Sequence, residues 1–302
     1  MRLATVVSPD GPRLVVASTS GTGYVDVAAA TGIERYRDLN ALLIEWDEAQ
    51  SALYEAAAGH GRVVEPADLA PAVPAPRRVL CLGVNYAAHA IERGSGVPSW
   101  PECFVRGPDS VAAPYGELRR PALSERFDFE GELGVVIGRS ARLVRREHAL
   151  EAVAGYVVLN DGSAREWQRV ATQWTPGKNF DATMPIGPEI VTADELDASD
   201  LELTTLVNGE VMQHARTSQM IVDIPTTIEY LSSFTTLRPG DVIATGTPGG
   251  VGRDRTPPVF LKAGDLVEVS IEGIGTIANR VVDERPLDEP WPWQPLAQGG
   301  AS

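Results

Sequence analysis

The stretch DFEGELGVVIG, residues 128–138, combines the apolar pattern of a buried strand with three acids in its first five residues. Side chains on a strand point alternately to its two faces, so Asp128, Glu130 and Glu132 share one face. The opposite face is apolar and carries Phe129, Leu133, Val135 and Ile137. Because unpaired ionised carboxylates are costly to bury, two interpretations stand: a solvent-exposed strand face, or carboxylates that converge on a cation.

A further acid follows another apolar run and has a similar ambiguity. In NDGSAREWQ, residues 160–168, Asp161 comes directly after YVVL. An aspartate in that place is often the N-cap of the next helix, but Asp161 is also a candidate third oxygen ligand. If a helix begins here, Arg165 and Gln168 lie on the same face as Asp161. Ligand sets made only of oxygen are typical of Mg²⁺, Mn²⁺ or Ca²⁺.

The segment NYAAHAIE, residues 85–92, places a histidine and an acid three residues apart. On a helix His89 and Glu92 are therefore neighbours. A carboxylate beside an imidazole orients it and raises its basicity, as a general base requires. The alternative is that His89 is an ordinary surface histidine.

Two loops offer groups that can contact an anion. In GKNFDATMPIGP, residues 177–188, Lys178 suits either an exposed position or an oxyanion contact. The run ATGTPGGVG, residues 244–252, is rich in glycine but lacks the Gly-Lys-Ser/Thr ending of a P-loop, so nucleotide binding is a weak interpretation. A backbone nest for an anion, with the hydroxyl of Thr247 as a donor, is the other.

The composition limits the classes of partner. The 302-residue chain has a formal net charge of −15, which argues against nucleic acid because phosphate binding needs a basic face. Its two cysteines, Cys81 and Cys103, form no CxxC pair, so we expect neither a zinc knuckle nor a disulfide framework. The sequence has no signal-peptide pattern and no apolar run of membrane-spanning length. We therefore expect a cytoplasmic protein without membrane contact.

Three parts follow from the distribution of residues along the chain. Residues 1–70 hold short strand-like runs and one helix-like stretch at 38–58, and are predicted to form a small N-terminal domain. Residues 71–286 are predicted to be a larger second domain, which carries the motifs above, and residues 287–302 an irregular C-terminal tail. Strands dominate over helices, so the predicted fold class is α+β and β-rich.

The motifs, taken in their order, closely resemble the fumarylacetoacetate hydrolase superfamily over roughly residues 77–284. The resemblance rests on NYAAHAIE, FEGELGVVIG, NDGSAREWQ, GKNFDATMPIGP, DIPTTIEYLS and PGDVIATGTPGGVG. It is nearest to the smaller acylpyruvase and 2-oxo-heptenedioate isomerase members. It implies a mixed β-sandwich roll, a small N-terminal α/β domain in front of it, and assembly as a homodimer.

The resemblance also implies a metal site. Glu130, Glu132 and Asp161 correspond to the ligands of one Mg²⁺, Mn²⁺ or Ca²⁺ ion. Some family members add a further aspartate upstream of the histidine, but the equivalent stretch here, CLGVNYAAHA, has no acid. We therefore expect three protein ligands, and we expect Asp128 to lie outside that set.

Catalytic and substrate-binding roles are implied in the same way. His89 and Glu92 correspond to the catalytic dyad, and Lys178 is expected to stabilise an oxyanion beside it. The substrate is expected to be a small 2-oxo acid that meets the ion through its carboxylate and keto oxygens. Its oxygens are expected to contact Arg165, Gln168, Thr247 and Arg106.

Three functional hypotheses remain open at this point. The first is hydrolysis of a C–C bond in an acylpyruvate (a 2,4-diketo acid), in which the metal stabilises the departing enolate and His89 activates water. The second keeps the site and changes the reaction, to decarboxylation of oxaloacetate-like acids or to isomerisation or hydration of 2-oxo-heptenedioate-like acids. The third is a non-catalytic member that only binds a metal or ligand.

Overall fold

A computed structural model of the chain describes residues 1–21, 23–92, 94 and 96–285. Within these residues the chain forms seventeen strands, numbered here in chain order. The strands are β1 (Arg2–Val6), β2 (Arg13–Ala17), β3 (Tyr24–Asp26), β4 (Val79–Gly83), β5 (Glu102–Arg106), β6 (Val111–Ala112), β7 (Glu117–Arg120), β8 (Phe127–Asp128), β9 (Gly131–Ile137), β10 (Val153–Asn160), β11 (Ser163–Ala164), β12 (Met184–Thr192), β13 (Glu202–Val207), β14 (Glu210–Arg216), β15 (Val242–Ala244), β16 (Leu266–Ile271) and β17 (Gly275–Asp283).

The helices are few and short by comparison. The α-helices of the described residues are α1 (Val27–Thr31), α2 (Leu39–Ile44), α3 (Trp46–Ala57), α4 (Ala87–Glu92), α5 (Thr175–Lys178) and α6 (Ile224–Phe234). Short 3-10 helices cover Glu34–Arg37, Pro66–Asp68, Pro108–Ser110, Arg146–Ala152, Trp167–Arg169, Ala198–Asp200, Thr217–Gln219 and Gly252–Asp254.

Two mixed sheets pack against each other and enclose an apolar core. The larger one has ten strands in the order β3-β2-β1-β12-β10-β9-β15-β4-β5, with β6 beside β12, and the smaller has the order β14-β13-β16-β17-β7. Apolar side chains of β9 and β10 meet those of β13, β16 and β17 between them, including Leu133, Val135, Val158, Leu203, Val269 and Ile277. The predicted β-rich α+β fold is therefore confirmed.

Residues 1–70 extend the larger sheet. Strand β1 pairs antiparallel with β12, and Leu3 lies opposite Ile190. On the outer face of this sheet, Trp46 and Leu53 of α3 share one apolar cluster with Val136 of β9. Because strands on both sides of residue 70 share one sheet, a domain division there stays a prediction. The predicted tail at residues 287–302 lies outside the described residues.

The helix-like stretch at 38–58 is two helices and not one. Glu45 separates α2 from α3 and leaves the helical path, with φ of −107° and ψ of 33°. Its carboxylate accepts hydrogen bonds from Arg35 at 2.7 Å and from the hydroxyl of Tyr36 at 2.9 Å. These contacts hold Glu45 toward the preceding 3-10 helix, and apolar periodicity carries no signal of such a contact.

The acid-bearing stretch is likewise divided. Asp128 ends β8, which pairs with β11 in a separate two-stranded sheet, and β9 begins only at Gly131. A Cβ atom at Gly131 would lie 2.2 Å from Thr205 Oγ1, so only glycine allows the smaller sheet to approach this closely. Glu130 and Glu132 are 5% and 1% exposed. The interpretation as a solvent-exposed strand face is therefore wrong.

Candidate active site

Three buried carboxylates converge where β9 begins and β10 ends. In the antiparallel pair, Asn160 lies opposite Gly131, which brings the next residue, Asp161, beside Glu130. The backbone N–H of Asp161 donates to the carbonyl of Glu130 at 2.8 Å. One carboxylate oxygen from each of Glu130, Glu132 and Asp161 lies within 4.8 Å of the others. The sheet register therefore gathers the three acids that the sequence indicated as metal ligands.

No helix begins at Asp161 among the described residues, so its interpretation as an N-cap is wrong. The chain continues instead into β11, and the nearest helical turn is the 3-10 helix at Trp167–Arg169. Arg165 and Gln168 still face the same pocket as Asp161. Arg165 Nη1 donates to the amide oxygen of Gln168 at 3.2 Å. The predicted grouping holds, although the helix that was its premise does not.

Buried cations neutralise two of the three acids. The ammonium of Lys178 contacts Glu130 at 2.5 Å and also contacts Asp161. Arg165 lies 2.7 Å from the other oxygen of Glu130, and the fully buried Arg106 contacts Asp161 from behind. Burial alone would raise the pKa of Glu130, but the positive charges of Arg165 and Lys178 hold that pKa well below its usual range.

Glu132 has no such compensation. Its carboxylate accepts the backbone N–H of Gly246 at 2.7 Å, and it forms no salt bridge within the described residues. Burial, followed by the negative charges of Asp161 and Glu130, raises the pKa of Glu132 well above its usual range. A buried group of three oxygen donors with one uncompensated acid is chemically suited to a hard divalent cation. The residues present therefore fit the metal that the motifs implied.

Asp128 lies outside this group and has a different task. Its carboxylate accepts the backbone N–H groups of Gly252 and Arg253 at 2.8 and 3.0 Å. It also accepts Arg165 Nε at 2.7 Å. Asp128 therefore fixes Arg165 beside Glu130 and ties the loop at residues 252–253 to the wall of the pocket.

His89 lies on α4 and is buried, which excludes the ordinary surface histidine. Its Nδ1 is 3.9 Å from a carboxylate oxygen of Asp254. Glu92 is exposed, and its carboxylate accepts the backbone N–H of Gly250 at 2.9 Å. Donor atoms of His89, Glu92 and Asp254 lie within 4.8 Å of one another. The histidine thus has two acidic neighbours, and the motif pattern indicated only Glu92.

Thr247 is held by the smaller sheet. Its hydroxyl donates to the carbonyl of Gly131 at 3.0 Å and accepts an N–H of Gln213 at 2.8 Å. The side chain of Gln213 also accepts the backbone N–H of Gly131 at 3.0 Å. The hydroxyl proton of Thr247 is therefore already used in a hydrogen bond within the protein. Its contact with substrate stays a prediction. Gln213, on β14, therefore positions Gly131 and Thr247. It lies in none of the sequence motifs, so the sequence did not indicate this role.

Most of the predicted residues line one enclosed pocket. Eight of them do so, namely His89, Glu130, Glu132, Asp161, Arg165, Gln168, Lys178 and Thr247. Arg106 lies behind Asp161. Glu92 lines a neighbouring open cleft of about 1000 Å³ together with Asp254. The pocket wall also contains residues that the motif analysis did not assign, namely Leu82, Gly83, Val84, Phe104, Trp174 and Arg253.

Comparison with known proteins agrees with the motifs. A sequence profile of the family described as "Fumarylacetoacetate (FAA) hydrolase C-terminal" matches residues 78–282. A bovine (Bos taurus) protein named "Oxaloacetate tautomerase FAHD2A, mitochondrial" is 40% identical over 297 residues, which cover 93% of this chain and 92% of that protein. The superfamily resemblance drawn from the motifs is confirmed.

Solved structures agree as well. A crystal structure from Mycobacterium smegmatis superposes with a TM-score of 0.86 at 39% identity, over 94% of this chain and 99% of that one. The maleylpyruvate hydrolase of Sphingobium sp. SYK-6, solved with a manganese(II) ion and pyruvate, superposes with a TM-score of 0.77 at 31% identity, over 94% and 99% of the two chains. The first supports the fold, and the second is a similar protein that holds a divalent metal.

The expected cytoplasmic location is wrong by the same comparison, because the bovine relative is named as a mitochondrial protein. The expectation rested on two absences, of a signal-peptide pattern and of a long apolar run, and neither absence identifies a compartment. Among the described residues, every helix is too short or too polar to cross a membrane.

Proposed function

Because the chain belongs to the fumarylacetoacetate hydrolase family and is an enzyme of that family, we propose that it interconverts the keto and enol forms of 2-oxo acids, with oxaloacetate as the first substrate to test. The observation that carries the proposal is the placement of Glu130, Glu132 and Asp161 in one pocket with Lys178 and His89. The name of the bovine relative supports the choice of oxaloacetate. The proposal replaces C–C hydrolysis as the first hypothesis.

The proposed metal ligands are Glu130, Glu132 and Asp161. A divalent ion held there would supply positive charge to the oxygens of a 2-oxo acid, which would acidify the C–H bond next to the keto carbon. The protein's own cations then have a second task. Lys178 and Arg165 keep Glu130 ionised, so that this acid is ready to bind the ion without first losing a proton.

Keto–enol exchange needs a base at the substrate carbon and a proton donor at the oxygen. We assign the base to His89, which is 3% exposed and lines the pocket with the carboxylates. His89 removes a proton from carbon 3, the enolate oxygen takes a proton from water, and His89 returns its proton to the hydroxide that is left, so that the enol forms without loss of any atom. Asp254 and Glu92 act as positioning residues, since a neighbouring carboxylate stabilises the imidazolium. Gln168 and Arg165 are proposed to orient the substrate oxygens.

Hydrolysis of a C–C bond in an acylpyruvate is the second candidate. It uses the same site but requires His89 to take a proton from water, whose oxygen then attacks the distal carbonyl. The structural likeness to a maleylpyruvate hydrolase solved with pyruvate favours keeping this candidate. Tautomerisation and hydrolysis differ in their products, so one assay separates them.

The test compares metal-free and reloaded protein. The chain is treated with a chelator, dialysed, and returned to Mg²⁺ or Mn²⁺. Oxaloacetate tautomerisation is followed by the ultraviolet absorbance of the enol, and acylpyruvate cleavage by release of pyruvate. We expect metal-dependent tautomerisation that is lost on chelation and in the Glu132→Gln variant. If the reloaded protein turns over neither oxaloacetate nor an acylpyruvate, the proposal fails.

Assembly as a homodimer is also proposed, on the ground of the family resemblance alone. Light scattering coupled to size-exclusion chromatography tests it directly. A mass of twice that of the 32.3 kDa chain is expected, and a monomer at the concentration of the activity assay would contradict it.

A further inference from the structure

The cations that touch the buried acids of the pocket are already committed to them. Lys178 contacts Glu130 and Asp161, and Arg165 contacts Asp128 and Glu130. A monocarboxylic 2-oxo acid needs no more positive charge than the metal supplies. A second carboxylate on the substrate, however, enters a pocket lined with acids, which repel it. A further cation on the pocket wall would offset that repulsion.

Arg253 occupies that position. It belongs to the 3-10 helix Gly252–Asp254, and it lines the same pocket as His89 and Glu132. Its backbone N–H is fixed by the bond to Asp128 described above, so the guanidinium projects from an anchored loop. Its Nε and Nη2 donate to the two carboxylate oxygens of Asp254 at 2.8 and 2.9 Å. Within the part of the chain that the structure describes, its Nη1 makes no hydrogen bond.

We infer that Arg253 binds the second carboxylate of dicarboxylic 2-oxo acids and thereby sets the substrate class of this enzyme. The inference rests on the proposed function and names the substrate class of the same site. A guanidinium pairs with a carboxylate through two parallel N–H···O bonds, which fixes orientation as well as charge. Only 9% of the Arg253 side chain is exposed, so water screens such a pair weakly.

Asp254 gives the contact a consequence for the reaction. In this structure it is shared, because it is bonded to Arg253 while one of its oxygens lies 3.9 Å from His89. A substrate carboxylate that engages Arg253 competes with Asp254 for the guanidinium. Asp254 is then left with His89 as its nearest partner, where it stabilises the protonated imidazole. A monocarboxylic acid cannot compete in this way.

Two ligands that differ only in the second carboxylate provide the test. Oxaloacetate and 2-oxobutyrate share the 2-oxo acid, and the first has a carboxylate where the second has a methyl group. Binding to the Mg²⁺-loaded protein is measured by isothermal titration calorimetry, which does not depend on turnover. In Arg253→Met we expect the Kd for oxaloacetate to rise about tenfold or more, and the Kd for 2-oxobutyrate to change by less than about threefold.

Matched variants separate this effect from loss of structure. Arg255 donates to the carbonyl of Met212 at 2.7 Å and lines the neighbouring cleft, so Arg255→Met should leave both Kd values unchanged. Pyruvate is a 2-oxo acid without a second carboxylate, and unchanged pyruvate affinity shows that an Arg253 variant has an intact site. Arg253→Met alone leaves the carboxylate of Asp254 without its guanidinium partner. The Arg253→Met/Asp254→Asn double variant repeats the test without that unpaired carboxylate.

The outcomes distinguish this inference from the proposed function. Selective loss of oxaloacetate affinity in both Arg253 variants supports the inference. Equal Kd changes for oxaloacetate and 2-oxobutyrate, or no change for either, overturn it while the proposed function stands. If the wild-type protein binds neither ligand when loaded with Mg²⁺, the proposed function itself fails and takes the inference with it.

Discussion

The ammonium of Lys178 lies 2.5 Å from the carboxylate of Glu130, inside the group of acids assigned to the metal. Both partners are almost completely buried, and the lysine also contacts Asp161. Burial would lower the pKa of Lys178, but the negative charges of Asp161 and Glu130 raise it, so the lysine stays protonated. Lys178 is thus a built-in counter-charge that holds the acids together when no metal is bound.

Replacing this lysine should make the fold depend on the metal. In Lys178→Met, Glu130 and Asp161 each lose a buried cationic partner, which typically costs about 3–5 kcal/mol of unfolding free energy. Added Mg²⁺ should recover much of that loss by neutralising the same acids. Urea unfolding with and without Mg²⁺ measures both effects. Lys262→Met is the control, since Lys262 is exposed and is not among the residues that line the pocket. Equal sensitivity of the two variants to Mg²⁺ would contradict this role.

Glu132→Gln should separate metal binding from folding. Glutamine has nearly the shape of the protonated glutamate, and the raised pKa of Glu132 favours that form in the metal-free protein. We therefore expect the unfolding free energy without metal to be kept or slightly increased, while Mg²⁺ affinity falls by about tenfold or more. Calorimetric titration with Mg²⁺ and urea unfolding provide the two values. Metal binding at wild-type strength would remove Glu132 from the ligand set.

The same group gives the metal-free protein a pH dependence of defined sign. Burial, Asp161 and Glu130 raise the pKa of Glu132, so the folded protein keeps this proton at pH values where the unfolded chain has released it. The contribution of Glu132 to the unfolding free energy therefore decreases as the pH rises above the ordinary glutamate pKa. The decrease ends once the pH exceeds the raised pKa of the folded protein. Glu132→Gln lacks this contribution, so the variant should gain stability relative to wild type as the pH rises above the ordinary glutamate pKa. A difference that is independent of pH would be inconsistent with this.

His89 and Asp254 should affect the rate and leave the metal in place. His89→Ala removes the proposed base, and we expect kcat to fall by about 10²- to 10⁴-fold with Mg²⁺ affinity unchanged. Asp254→Asn should cause a smaller fall in kcat and shift the pH profile of kcat toward lower pH, because the protonated imidazole loses a negative charge that stabilised it and the free base forms more readily. His148→Ala is the control, with a side chain that is 66% exposed. Wild-type kcat in His89→Ala would exclude it as the base.

The sequence was sufficient to single out the three acids that converge in the pocket, because each follows a local rule. Glu130 and Glu132 have the alternation of strand residues, although β9 begins only at Gly131, and Asp161 follows a run long enough to be a buried strand. Their meeting, however, depends on the antiparallel register that sets Asn160 opposite Gly131, and no local pattern specifies a register between distant strands. The family motifs supplied that missing long-range information.

Asp254 and Arg253 were missed for a different reason. They follow the glycine-rich loop in a short 3-10 helix, where neither periodicity nor spacing indicates which side chain faces inward. Their position depends on Asp128, which lies on β8, distant in sequence, and accepts the backbone N–H of Arg253. The only indication in the sequence was that two oppositely charged residues directly follow the glycine-rich loop. The break at Glu45 has the same origin, since contacts between elements override helix periodicity.

The most direct test of the account is a crystal structure of the protein soaked with Mn²⁺, with anomalous diffraction recorded to locate the ion. We predict one ion bonded to carboxylate oxygens of Glu130, Glu132 and Asp161, at roughly 2.0–2.2 Å, with the ammonium of Lys178 displaced from at least one of these acids. An ion bound instead at His89, Glu92 and Asp254, or no ion at the three buried carboxylates under saturating Mn²⁺, would contradict the central claim.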